Sequence, residues 1–95
     1  MKEEITAEEV KWNPVSPGCF QSIFPKNYTT VIRVDRKFQP PILSHELTYS
    51  TFMRSLDLGV LASVEEVDEL VAAHHNGRMK ARRISRGDYN ASDTT

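Results

Sequence analysis

Two histidines stand side by side at His74-His75, and a run of cations follows them. Arg78, Lys80, Arg82, Arg83 and Arg86 place five positive side chains in nine residues, with no acid before Asp88. Imidazoles bind metals or move protons, and guanidinium and ammonium groups grip carboxylates or phosphates. Metal chemistry is the weaker expectation. Neighbouring residues on a helix point about 100° apart, whereas two histidines that share a zinc on a helix want a spacing of four, and no acid completes a local set. The sequence therefore predicts no metal and no other cofactor. It predicts histidines near a helix C-terminus, facing the negative end of the helix dipole.

The cations carry the functional expectation. Read as an exposed strand, Lys80 and Arg82 project to one face and Arg83 to the other. With Lys26, Arg33, Arg36 and Lys37 on a neighbouring strand they would form a larger basic surface for an acidic protein or for phosphates. The competing reading pairs them with Glu65, Glu66, Asp68 and Glu69, or has them protect an edge strand. Trp12 and Phe20 belong to the residue types that dominate interface energy, and they serve equally as core fillers.

Catalysis has little support in the sequence. Cys19, the single cysteine, lies among prolines with no partnering motif, and phosphate-binding and dinucleotide glycine patterns are absent. "RRIS" (82–85) and "RGD" (86–88) are too short to weigh. A helix-turn-helix reading of "LDLGVLASVEEV" fails on electrostatic sign, because its recognition helix would present Glu65, Glu66, Asp68 and Glu69 to DNA phosphates.

The totals bound what can position these groups. The chain has 95 residues, 39% hydrophobic and 26% charged, and 12 basic against 13 acidic side chains leave a net charge of −1. That fits one small domain with a modest core, and any electrostatic function must come from local segregation of charge. A lone cysteine precludes an intrachain disulfide and suits a reducing compartment. The acidic start "MKEEITAEEV" is unlike a secretory leader, and no apolar run is long enough to span a membrane. The expected location is cytoplasmic.

Along the chain, Thr6 and Glu9 form a capping box, and Ile5 with Val10 form a hydrophobic staple, which together predict a short helix ended by Asn13-Pro14. Residues 13–27 hold three prolines and a glycine and read as an aromatic-anchored loop. "NYTTVIRVDRKF" predicts a strand with Tyr28, Thr30, Ile32 and Val34 on its apolar face. After "QPP", Ser44 is placed to cap a second helix through residues 45–58, stopped by Gly59. Ser63 and Glu66 make another capping box for a helix over 63–77, with Val64, Val67, Leu70, Val71 and His74 on one face and Gly77 as its stop. Residues 78–85 then read as a final strand.

The expected fold is a single compact α+β domain over 1–88, a short antiparallel sheet packed against two or three helices, with a flexible polar tail over 89–95. The expected function is a small non-catalytic interaction module that binds another protein as regulator, adaptor or inhibitor. The alternative is a nucleic-acid binder that uses the basic segment 78–86, and phosphate contacts would give that binding a steep salt dependence. No membrane partner is expected. Open strand edges also predict a homodimer.

Overall fold

The computed structural model describes residues 4–85, with side chains through residue 82. Arg86 and the tail expected over 89–95 lie outside the described residues, as does the side chain of Arg83. A single 3-10 turn (Ala7–Glu9) leads into five strands: β1 (Lys11–Ser16), β2 (Cys19–Phe24), β3 (Tyr28–Asp35), β4 (Ile42–Ser50) and β5 (Ser55–Leu61). One helix, α1 (Val64–Ser85), follows. The strands make one antiparallel sheet in chain order, and α1 packs on one of its faces. The expected α+β arrangement of a short sheet beneath two or three helices is thereby corrected to a five-stranded meander under a single helix.

The second expected helix, over 45–58, is the β4–β5 hairpin. In β4 His45, Leu47 and Tyr49 are buried while Glu46, Thr48 and Ser50 are only partly so, an alternation with period two. Each buried residue lies opposite an inward residue of β3, in the pairs Ile32↔His45, Thr30↔Leu47 and Tyr28↔Tyr49. The β-branched and aromatic residues that weakened the helical reading are those that suit a strand. The turn between β4 and β5 is held by Thr51, whose hydroxyl accepts the N–H groups of Met53 and Arg54 at 3.2 and 3.3 Å. Gly59 is no helix stop. It lies in β5 opposite Leu47, beside the register irregularity at Leu47/Thr48, with φ +132°.

The proline-rich loop expected over 13–27 is the β1–β2 hairpin. Its turn passes through Pro17 and Gly18, where φ is +73°, a conformation that favours glycine. The Gly18 carbonyl accepts the Ile32 N–H at 2.8 Å and so ties the turn to β3. The expected N-terminal helix shrinks to one 3-10 turn, because Lys11–Ser16 is drawn into pairing with β2. Its capping box survives, with the Glu9 carboxylate accepting the Thr6 N–H at 3.1 Å. Ile5 and Val10 are buried in the core, as a staple would place them.

The helix start at Ser63 is as expected: the Ser63 hydroxyl accepts the Glu66 N–H at 3.2 Å, and Glu66 accepts the Ala62 N–H at 2.9 Å. Its end is not, for α1 runs through Asn76-Gly77 to Ser85, and the strand expected over 78–85 is its last two turns. Asn76 makes a tertiary tie instead of a turn. Its amide accepts the Ile5 N–H and donates to the Ile5 carbonyl, each at 2.8 Å, fastening the N-terminal segment alongside the helix.

Tyr28, Leu47, Val67 and Val71 are the fully buried side chains at the centre of the core. Burying each of the three aliphatic ones contributes about 1.5–3 kcal/mol. The opposite sheet face carries Thr29, Val31 and Arg33 from β3 and Glu46 and Thr48 from β4, and no described element covers it. No helix of the described residues is long and apolar enough to cross a membrane.

A helical Gly77 has a direct consequence. A Cβ added there meets nothing within 4 Å, so Gly77→Ala keeps the fold and removes glycine's excess chain entropy. The expected outcome is a gain of about 0.5–1 kcal/mol. In a domain of this size that raises Tm by roughly 2–8 °C in a circular-dichroism melt, whereas a left-handed stop at Gly77 would make the same change lower Tm.

Candidate functional site

The histidine pair is divided between two environments. His74, on the inward face of α1, meets the Tyr28 hydroxyl with its Nδ1 at 2.6 Å. The Tyr28 and Tyr49 rings stack at 4.9 Å between centroids, and His74 stands edge-on to Tyr28. The Arg78 guanidinium lies over the Tyr49 ring at 4.7 Å, one helical turn after His74. His75 turns away to face Phe24 at 6.3 Å between ring centroids. Among the described residues no three His, Cys, Asp or Glu side chains gather where they could hold a metal ion.

Burial sets the protonation of this cluster. It pushes the Tyr28 phenol up to about 12, against the pull of the Arg78 guanidinium. It pushes the His74 imidazole below its ordinary range, and the charges of Arg78 and His75 act in the same direction. Both groups are neutral at pH 7, and the imidazole tautomer sets which of the Tyr28 hydroxyl and His74 Nδ1 donates in the bond they share. Tyr28 is 1% exposed and His74 partly so, and the pair forms a satisfied, part-buried hydrogen bond at the edge of the core.

The basic residues do not form one ribbon. Because residues 78–85 are helical, Lys80 points to the side of α1 away from Arg78, while Arg82, four residues on, follows Arg78 on the same side. Arg78 is half-buried on Tyr49, whereas Lys80 and Arg82 are exposed. Arg33 pairs with Glu46 at 2.7 Å on the uncovered face. Arg36 and Lys37 sit in the β3–β4 turn, exposed. Since Tyr28 begins β3 beneath His74, Arg33 lies five residues or about 16 Å along the strand from the Arg78 end. The sequence-expected partnership between the two basic groups is thus separated to opposite ends of the sheet.

A different set gathers near Arg78. The β4–β5 turn brings Phe52, Met53 and Arg54 to that end, and the β2–β3 turn brings Lys26, held beside β4 by the Ser50 N–H bond to the Asn27 carbonyl at 2.9 Å. Phe52 is 97% exposed and Met53 76%. Neither was a sequence candidate, because the helical reading of 45–58 turned Phe52 toward the core.

Trp12 and Phe20 lie on the helix-covered face, where the hairpin register aligns their strands. The Trp12 indole N–H donates to Asp68 Oδ1 at 2.7 Å, joining β1 to α1. Burial raises the Asp68 carboxyl, and the bond from Trp12 opposes that rise. With Ile32, Val64 and Val67 these rings wall a cavity of about 260 Å³ under the first turns of α1. Thr30 and His45 also line it, both buried. Compared with known protein families, curated proteins and solved structures, the chain matches none.

The depressed His74 predicts an acid-side loss of stability. Unfolded, the imidazole protonates near pH 6.5, and folded it resists until a lower pH. Stability attributable to neutral His74 is therefore present above 6.5 and is lost as pH falls through the folded value. Tyr28 acts in the opposite sense, its contribution intact below pH 10 and lost on the way to about 12. Melting temperature measured across pH 5–8 should slope downward toward acid in the wild type and more shallowly in His74→Gln.

Proposed function

We propose that the protein is a non-catalytic interaction module that docks an acidic, apolar-anchored segment of another protein, acting as a regulator, adaptor or inhibitor in the cytoplasm. The carrying observation is the exposure of Phe52, 97%, and Met53, 76%, side by side in one turn. Single exposed apolar residues are ordinary, but adjoining aromatic and thioether side chains at an end of the sheet that also carries cations have the composition of an interface centre. Arg54 follows them in the chain, Lys26 lies in the adjoining turn, and Arg78 is held in place by the Tyr49 ring. An acidic partner segment matches this rim, and an apolar side chain within it meets Phe52 and Met53.

The location follows from the same chemistry. Cys19 has no disulfide partner, which suits a reducing compartment. The basic residues favour a protein partner over a nucleic acid because they come from three separate elements around an apolar centre. A phosphate backbone would be tracked better by a continuous basic groove.

Selection of displayed peptides against the wild type tests the reading, alongside Phe52→Ser/Met53→Ser and Lys26→Glu/Arg54→Glu double variants at exposed positions. The expected peptides carry Asp or Glu around an apolar residue, bind either variant at least tenfold more weakly, and leave its Tm unchanged. Peptides without acidic enrichment, or binding indifferent to both variants, would refute it. Oligonucleotide binding at ~50 mM salt that collapses as salt rises would move the assignment to nucleic acid.

A further inference from the structure

We infer that the cavity under the first turns of α1 is a binding site for a small neutral molecule: a single aromatic ring, or an aliphatic of that size, bearing one hydroxyl or carbonyl. This site lies at the other end of α1 from the proposed protein-docking turn and does not depend on it. The walls are Trp12, Phe20, Ile32, Val64 and Val67, which makes them mostly hydrocarbon and aromatic. Among the described residues no Lys, Arg, Asp or Glu side chain lines the cavity, so a charged ligand would be buried there without a counter-ion.

The size of the ligand follows from the volume, about 260 Å³. Protein interiors seldom keep a void much larger than a water, whose share of liquid volume is about 30 Å³. A dry apolar cavity of about 150 Å³ already accepts benzene, so this one holds a substituted single ring and excludes a drug-sized molecule.

The polar group follows from Thr30. This residue lines the cavity, is 6% exposed, and its hydroxyl has no hydrogen-bond partner among the described residues. Buried hydroxyls are nearly always paired, and a lone unsatisfied one calls for a partner that the protein itself does not supply. His45, 7% exposed on the neighbouring strand directly opposite Ile32, adds a second polar edge to the same wall. A ligand hydroxyl or carbonyl seated between them completes the set while its hydrocarbon part fills the rest.

The test uses p-cresol and toluene, which differ by the hydroxyl, titrated into the ¹⁵N-labelled protein and followed by NMR. The expected result is shifts centred on Thr30, His45 and Val67, with a p-cresol Kd on the order of 0.1–1 mM and toluene about tenfold weaker. Thr30→Val keeps the side-chain shape and should abolish that preference while toluene still binds. Val64→Phe, at a half-exposed position where the fold tolerates the larger ring, should fill the cavity and stop both. The inference is overturned if neither compound shifts the lining residues, if Val64→Phe leaves binding intact, or if the p-cresol preference survives Thr30→Val.

Discussion

One helix has to cover one face of a five-stranded sheet, and it is too narrow to do so. Five strands at about 4.8 Å spacing present a face roughly 19 Å wide between outer axes, whereas a helix with its side chains is about 10–12 Å across. The mismatch organises the rest of the molecule. Val67 and Val71 press on the middle of the sheet, against Tyr28 and Leu47, and there the packing is complete. On the flanks other devices take over: Ile5 and Val10 fill in beside the helix, Asn76 fastens them, and the Trp12 indole reaches Asp68 from β1. Where the flank is not filled, the cavity remains.

The covered face also had to solve a polar problem. Tyr28 and His74 are large enough to fill the space between sheet and helix, but each brings a group that needs a partner when buried. Set against one another, they satisfy both and are held neutral by the burial that made the pairing necessary. Arg78 stays charged because it lies on the edge of this cluster, its guanidinium on the Tyr49 ring and its solvent side open. A cation that the sequence offers as a free grip is thus spent in part on packing. That changes which residues of the basic end remain for a partner.

The two proposed sites lie at opposite ends of the helix. The end at the β4–β5 turn joins cations from three elements to an exposed phenylalanine and methionine, and the opposite end holds an apolar cavity with an unpaired hydroxyl in its wall. The first suits a macromolecule and the second a small neutral one. Between them lies the most tightly packed part of the core, so a ligand at either end would stabilise the same folded state without touching the other.

Local chemistry legible in the residues themselves decided several elements. Ser63 and Glu66 fix where α1 starts because a cap is satisfied within four residues, and the alternation in Tyr28–Ile32 fixes the face that β3 turns to the core, whereas Val34, expected on the same face, is exposed. Ile5 and Val10 are buried as their staple spacing requires. Three other decisions needed partners distant in sequence. His45–Leu58 carries hydrophobic spacing compatible with either period, and pairing with β3 made it a hairpin. Asn76-Gly77 has turn chemistry, yet Asn76 spent its amide on Ile5, 71 residues away, and the helix ran on. The cations at 78–82 therefore wind around a helix instead of lining a strand, because a residue's direction is set by the element that carries it, and that element was chosen by contacts no local window contains.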